Sequence, residues 1–281
     1  MHIDPAALDE FVAASRKRVN AALDACLPAA TQHPTELHRA LRYVVFSGGK
    51  RLRPTLAFGA AVAGGAEPEQ AMPVAVAAEL VHTCSLVLDD LPAQDDKAER
   101  RGQPAAHIAF DSATAILAGS ALLAEAFAQC TRLPDPSACV AAGAGLADTV
   151  GPRGMIGGQV DDLASTPSDT SLEEVEHIHL RKTAALFRFS AWSAGVATGL
   201  SGEHLDCLDA FGCAYGLAFQ IVDDLHDEDP RQCSILHVLS RQEALARIRG
   251  LLDQAAREVA VFGPEGWVLV GLARRVEGLI P

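Results

Sequence analysis

Apolar residues return every three or four positions along most of the chain, the period of a helix with one buried face. Leu8, Phe11, Val12, Val19 and Leu23 set this period over residues 5–25, with charges between them, and predict an amphipathic first helix. After a turn at 31–34, the pattern continues through Leu37, Leu41, Val44 and Val45. Residues 54–63 and 68–88 are apolar nearly all round and rich in alanine, which suits helices buried inside a bundle. Helical runs resume over 106–130 and 137–156, separated by Pro134-Asp135-Pro136. Ser171 with Glu174 forms a capping-box pattern that opens a helix running through Phe187 and Trp192. One more apolar helix covers 205–227, and two closing helices cover 241–262 and 266–279. With no alternating strand pattern, long linker or fixed-period repeat, the expectation is one all-α domain over residues 1–281.

The polar chemistry sits where this pattern breaks. In Ser47-Gly48-Gly49-Lys50-Arg51-Leu52-Arg53-Pro54, two glycines free the backbone, cations follow, and a proline can open the next helix. Cations beside the exposed N–H groups of a helix start make a phosphate cradle. The helix over 68–88 runs into Leu88-Asp89-Asp90-Leu91-Pro92-Ala93-Gln94-Asp95-Asp96. In an unbroken helix Asp89 and Asp95 would lie about 240° apart around the axis, so a bend at Pro92 is needed to bring them together. A second acidic cluster, Asp223-Asp224-Leu225-His226-Asp227, ends another apolar helix. There Gln220, Asp223 or Asp224, and Asp227 share a stripe, which is costly unless cations pair it. Carboxylates are hard ligands, and Mg²⁺ is held by one or two of them plus waters and substrate phosphates. Two such clusters therefore point to a phosphate ester as substrate.

Other polar residues carry less weight alone. His82 lies two turns before Asp89 on the same face, a position more often filled by a satisfied core histidine. Arg100-Arg101-Gly102 repeats the pairing of cations with glycine, and Gly157-Gly158-Gln159 permits close approach of backbones. Asp161-Asp162 reads as a supporting or surface pair, and His177 and His179 do not face each other as a metal pair would.

Composition narrows the class. Hydrophobic residues make up 49% of the 281 and aromatics only 5%, a balance that favours packed helices over a β sandwich. A formal charge of −13 argues against a nucleic-acid-binding surface. Seven cysteines without a CxxC pair suggest neither a disulfide framework nor zinc, but reduced thiols in the cytoplasm. The start of the chain lacks the order of a signal peptide, and no window reaches about 18 uncharged apolar residues for a membrane span. The nearest window, 108–127, is interrupted by Asp111 and Glu125.

Taken in order, these motifs resemble the all-trans polyprenyl diphosphate synthases, which include farnesyl and geranylgeranyl diphosphate synthases. The resemblance runs from about Leu41 to Asp227 and rests on the Gly48–Pro54 segment, His82 to Asp95, Arg100-Arg101-Gly102, Gly157-Gly158-Gln159, Lys182-Thr183 and Phe219 to Asp224. It implies a helical bundle around a deep cavity, assembled as a homodimer. It also implies that Lys50, Arg53, His82 and Arg101 bind isopentenyl diphosphate, and that Arg100, Lys182, Thr183 and Gln220 serve the allylic diphosphate. Asp89, Asp90, Asp95, Asp223, Asp224 and Asp227 would hold about three Mg²⁺ ions, with Asp89, Asp90, Asp95, Lys182 and Asp223 as the catalytic set. The reaction implied is ionisation of the allylic diphosphate, attack by the double bond of isopentenyl diphosphate, and loss of a proton to the departing diphosphate.

One departure concerns the stretch after the second cluster, Glu228-Asp229-Pro230-Arg231-Gln232-Cys233-Ser234, where the family carries a loop with lysines. Gln232 stands where the later lysine belongs, and the loss of charge-assisted contacts is expected to weaken allylic binding or closure. Three other readings stay open: a farnesyl diphosphate synthase, a weakly active or regulatory subunit that pairs with a competent synthase, and a terpene cyclase. The cyclase is disfavoured by the scarcity of Trp and Tyr and by the retained isopentenyl-binding motif. Product length is expected to depend on the helix before Asp89. Cys84 and Ser85 are small where the family places a bulky aromatic to floor the pocket, so a product longer than farnesyl is expected, namely geranylgeranyl diphosphate. Leu80, Val81 and Ala77 are the candidates for a deeper floor.

Overall fold

The computed structural model describes residues 3–165, 170–226 and 233–280. Helices dominate: α1 (Pro5–Cys26), α2 (Thr35–Phe46), α3 (Leu52–Ala63) and α4 (Met72–Asp89). A two-stranded ribbon follows, β1 (Glu99–Arg100) with β2 (Gln103–Pro104), an element that the helical pattern gave no reason to expect. Next come α5 (Ala106–Ala109), α6 (Ser112–Cys130), α7 (Pro136–Val150), α8 (Met155–Ala164) and α9 (Leu172–His179). The chain continues through a π-helical turn (Leu180–Ala184) into α10 (Ala185–Ala197), then α11 (Glu203–His226), α12 (Arg241–Glu258) and α13 (Trp267–Glu277).

The all-α expectation holds, with three corrections to element boundaries. The run over 106–130 is two helices, because the Asp111 carboxylate caps a new one by accepting from the Thr114 N–H at 2.7 Å. The run over 137–156 ends at Val150, and a separate helix, α8, begins at Met155 and contains Gly157-Gly158-Gln159. The helix opened by the Ser171–Glu174 capping box is present but changes to π spacing at Lys182 and Thr183. Such π turns are often found at functional sites.

The centre of the bundle is α4, packed against α3, α6 and α10. Ala75, Ala77 and Ala78 are fully buried on it, and their small side chains let neighbouring helices approach on several sides at once. The hydrophobic core is continuous from Leu8 in α1 to Val276 in α13. Contrary to the sequence expectation, three stretches among the described residues are long and apolar enough to cross a membrane by length and composition: Pro68–Asp89, Ser112–Cys130 and Glu203–His226. In the first, 67% of the apolar window is buried inside the bundle, and burial on all sides gives a helix this composition without any lipid.

Candidate active site

The two acidic clusters end α4 and α11 and meet across one cavity of about 1300 Å³. At the end of α4 the chain turns back at Pro92, and the Asp95 N–H donates to the Asp89 carbonyl at 2.9 Å. This is the reunion that an unbroken helix would forbid. Asp89 faces the cavity, and Asp95 stands beside it with Lys97 3.2 Å from its carboxylate. Asp90 points elsewhere, since successive helical residues are turned by about 100°. Only 3% exposed, it accepts both the Nε–H and an Nη–H of Arg100 and does not line the main cavity.

The cationic side is built on a strained backbone. Gly48 and Gly49 have φ of 109° and 126°, and Arg51, at 53°, is also left-handed. A Cβ on Gly49 would lie 2.9 Å from the Arg101 guanidinium, which itself donates to the Gly48 carbonyl at 2.6 Å. Glycine here admits the arginine. Arg51 is buried, its Nη1 2.6 Å from Glu79, its Nε donating to Asn20 and its Nη2 to the Val45 carbonyl. That pair anchors the loop that carries Lys50 and the start of α3, from which Arg53 reaches the cavity.

Arg53 lies with its guanidinium 4.3 Å from the centre of the Phe187 ring. Burial lowers its pKa to about 10, against the pull of Glu79 and Asp223, so it remains a cation at neutral pH. His82 also lines the cavity. Burial first, then Arg53, Arg101, Arg100 and Arg51, holds it well below the ordinary histidine value, so it is a neutral hydrogen-bonding group.

Opposite, α8 packs against the π turn so closely that a Cβ on Gly158 would lie 2.6 Å from the Lys182 nitrogen. Lys182 pairs with Asp162 and lines the cavity. Burial acts against its charge, but Asp162, Asp89 and Asp95 outweigh it and raise the pKa. Thr183 donates to Gln220 at 2.6 Å, and Gln220 donates to Asp224 at 2.8 Å. Asp223 opens onto the cavity, whereas its neighbour Asp224 is 5% exposed and turned inward. Asp227 and the lysine-poor stretch through Gln232 lie outside the described residues.

Both cavity acids are poised for a cation. Burial, only partly offset by Lys182, pushes Asp89 up to about 6, with Asp95 and Asp90 adding to the rise. Burial likewise raises Asp223 to about 6, against Arg53 and Lys50. Among the described residues no three His, Cys, Asp or Glu side chains form a ready-made cage. The hard oxygen donors present suit a cation that completes its shell with substrate phosphate oxygens.

From the charged chamber an apolar arm runs past Leu88, Ser85, Cys84 and Val81 on α4 to Leu123 on α6 and Val150 at the end of α7. Cys84, Ser85 and Val81 thus stand where the sequence placed the tail. Leu80 and Ala77 do not: both are fully buried in the core and absent from the cavity wall.

This arrangement has known counterparts. The family model for polyprenyl synthetases matches residues 34–232. The chain belongs to the polyprenyl synthetase family. It is 39% identical over 234 residues to the heterodimeric geranylgeranyl pyrophosphate synthase large subunit 1, chloroplastic, of Arabidopsis thaliana, covering 80% of this chain and 62% of that protein's length. It is 39% identical over 254 residues to geranylgeranyl pyrophosphate synthase 12, chloroplastic, of the same plant, covering 86% and 69%. Among solved structures, an apo FPP/GFPP synthase from Zymomonas mobilis superposes with a TM-score of 0.89 at 33% identity, covering 96% of this chain and 98% of that one.

Sequence reasoning missed two features of this polyprenyl synthetase site. One is the Arg51–Glu79 pair; its signal was a lone glutamate inside an otherwise apolar helix, which needs a cationic partner. The other is Gln94, in the cavity wall, which accepts from Gln159 at 2.9 Å and donates to the Leu88 carbonyl at 3.0 Å, tying α8 to the turn after α4. No spacing rule connects residues so far apart in sequence.

Proposed function

We propose that this chain is a short-chain trans-prenyltransferase that condenses isopentenyl diphosphate with allylic diphosphates, with geranylgeranyl diphosphate as its main product. The observation that carries the reading is the placement of Asp89 and Asp223 in the wall of one cavity, together with seven lysine and arginine side chains and an apolar arm. Lys50, Arg53, His82 and Arg101 line the side that would take isopentenyl diphosphate. Lys182, Thr183 and Gln220 line the side that would take the allylic diphosphate, to which we also assign Arg100, a cavity residue whose guanidinium is bonded to Asp90.

Asp89, Asp95 and Asp223 would hold Mg²⁺, which supplies positive charge where the leaving diphosphate becomes more negative. Lys182 adds a fixed cation at the same place. As the allylic C–O bond breaks, the tail lies in the apolar arm, whose walls keep water from quenching the carbocation. The isopentenyl double bond, held by its diphosphate among Lys50, Arg53 and Arg101, then forms the new C–C bond, and the proton leaves to the departing diphosphate. A homodimer in the cytosol is proposed. Ile116 and Leu117 on α6 and Val140 on α7, large apolar residues left exposed, support an apolar interface.

The test is incubation of the pure protein with Mg²⁺, labelled isopentenyl diphosphate and each allylic primer in turn. Label recovered in a twenty-carbon diphosphate is the expected result. A released hydrocarbon would indicate a cyclase, and turnover only with an added partner chain would indicate a subunit.

A further inference from the structure

Of the lysine and arginine side chains in the cavity wall, four are already engaged by the protein. Arg51 is held by Glu79, Arg100 by Asp90, Arg101 by the Gly48 carbonyl and Lys182 by Asp162. Arg16, Lys50 and Arg53 also line the cavity and make no hydrogen bond or ion pair with any described residue. The sequence pattern points to Lys50 and Arg53. It gives no reason to look to Arg16, on the first helix.

The place of Arg16 follows from how α1 is seated. Ser15, Val19 and Leu23 recur at four-residue intervals and are buried, which fixes the rotation of the helix where it packs against α3 and α4. Arg16 and Asn20, also four apart, form the neighbouring stripe. Asn20 Oδ1 accepts from Arg51 Nε at 2.9 Å, so this stripe faces the loop that carries Lys50. Arg16, one turn before Asn20, enters the cavity wall on that side and stays exposed to solvent. The next two residues are turned away. Neither Lys17 nor Arg18 lines the cavity, and Arg18 pairs with Glu69 at 3.2 Å.

We propose that Arg16 binds the diphosphate of isopentenyl diphosphate at the mouth of the cavity, as a contact beyond Lys50 and Arg53. The inference rests on the reading of the cavity as a diphosphate site. A guanidinium stays charged at every working pH and presents five N–H donors in a fork that matches phosphate oxygens. None of these donors is committed among the described residues, so engaging a diphosphate breaks no existing bond. An exposed cation at the entrance also counts in a chain of net charge −13, whose overall field opposes an arriving anion.

The experiment is calorimetric titration of the full chain with isopentenyl diphosphate in the absence of a primer, when nothing turns over, paired with steady-state kinetics. Arg16→Ala should weaken binding and raise KM for isopentenyl diphosphate, each about tenfold, the low end for a hydrogen bond to a charged group because the side chain is exposed. The allylic KM and kcat should keep their original values. Arg16→Lys keeps the charge and loses the fork, so its effect should be smaller. The loss in R16A should shrink as NaCl is raised to about 0.5 M, where exposed charges are screened. Lys17→Ala, beside Arg16 but outside the wall, should change none of these values. Alanine is favourable in a helix, so R16A should fold, and R16K repeats the test with a side chain of similar length. Unchanged isopentenyl diphosphate binding in R16A overturns the proposal and leaves the cavity reading in place. An equal loss in K17A, or an equal rise in the allylic KM of R16A, overturns it too. If the unaltered protein binds isopentenyl diphosphate but extends no primer, the assigned reaction fails while the Arg16 contact stands on binding alone. If it binds no isopentenyl diphosphate, both fail.

Discussion

Removal of Glu79 tests how the cationic loop is held. The carboxylate is 2% exposed and lies 2.6 Å from the equally buried Arg51 guanidinium. Arg51 retains its bonds to Asn20 and the Val45 carbonyl when Glu79 is lost, so the charge cannot withdraw to solvent without breaking them. A buried ion pair that loses one member costs about 3–5 kcal/mol, because the other charge is left without compensation. Glu79→Ala should therefore lower stability by that amount, a fall in melting temperature of about 6–20 °C for a chain of this size. Glu79→Gln keeps an acceptor for Nη1 and loses only the charge, so about 1.5–3 kcal/mol is expected. The exposed Arg188–Asp209 pair, at 2.7 Å, is the control, and Asp209→Ala should cost less than about 1 kcal/mol. Urea unfolding followed by circular dichroism measures all three. A cost for E79A no larger than that for D209A, or a glutamine variant worse than the alanine one, would refute the argument. Because the loop carries Lys50 and leads into Arg53 at the start of α3, E79Q should also raise KM for isopentenyl diphosphate more than for the allylic substrate.

Other expectations follow from the same geometry. Asp89 and Asp223 are raised to about 6, so they are protonated below that pH and available to a cation above it. Mg²⁺ affinity by calorimetry should fall steeply between pH 7 and 5, by about tenfold per unit for each carboxylate engaged, and Mg²⁺ binding near pH 6 should release protons. In the metal-free protein these two groups favour the fold below pH 4, and that contribution is lost as pH rises through 6. Cys84→Phe should fill the arm beside Leu88 and Leu123 and shift products to shorter chains, read by chromatography, with about 1–3 kcal/mol of overpacking cost; an unchanged distribution contradicts the placement of the arm. Gly158→Ala should push α8 off the π turn, displacing Lys182 and lowering kcat by more than tenfold, since the new Cβ meets backbone 2.6 Å away.

What the sequence determined unaided was everything with a local cause. The helical period, the Ser171–Glu174 cap, the turn at Pro92 that returns Asp95 to Asp89, and the cations after Gly48-Gly49 follow from neighbours a few residues apart. The tertiary structure decided which of each adjacent acid pair serves the cavity. Asp89 and Asp223 do, while Asp90 and Asp224 are spent on Arg100, Gln220 and the Ile235 amide. Adjacent helical residues point about 100° apart, and nothing within one helix says how it is rotated against its neighbours. The same holds for the Arg51–Glu79 anchor and for the arm, whose wall includes Leu123 and not Leu80. Each depends on how α4 sits among α3, α6 and α10, a matter of packing between segments remote in the chain.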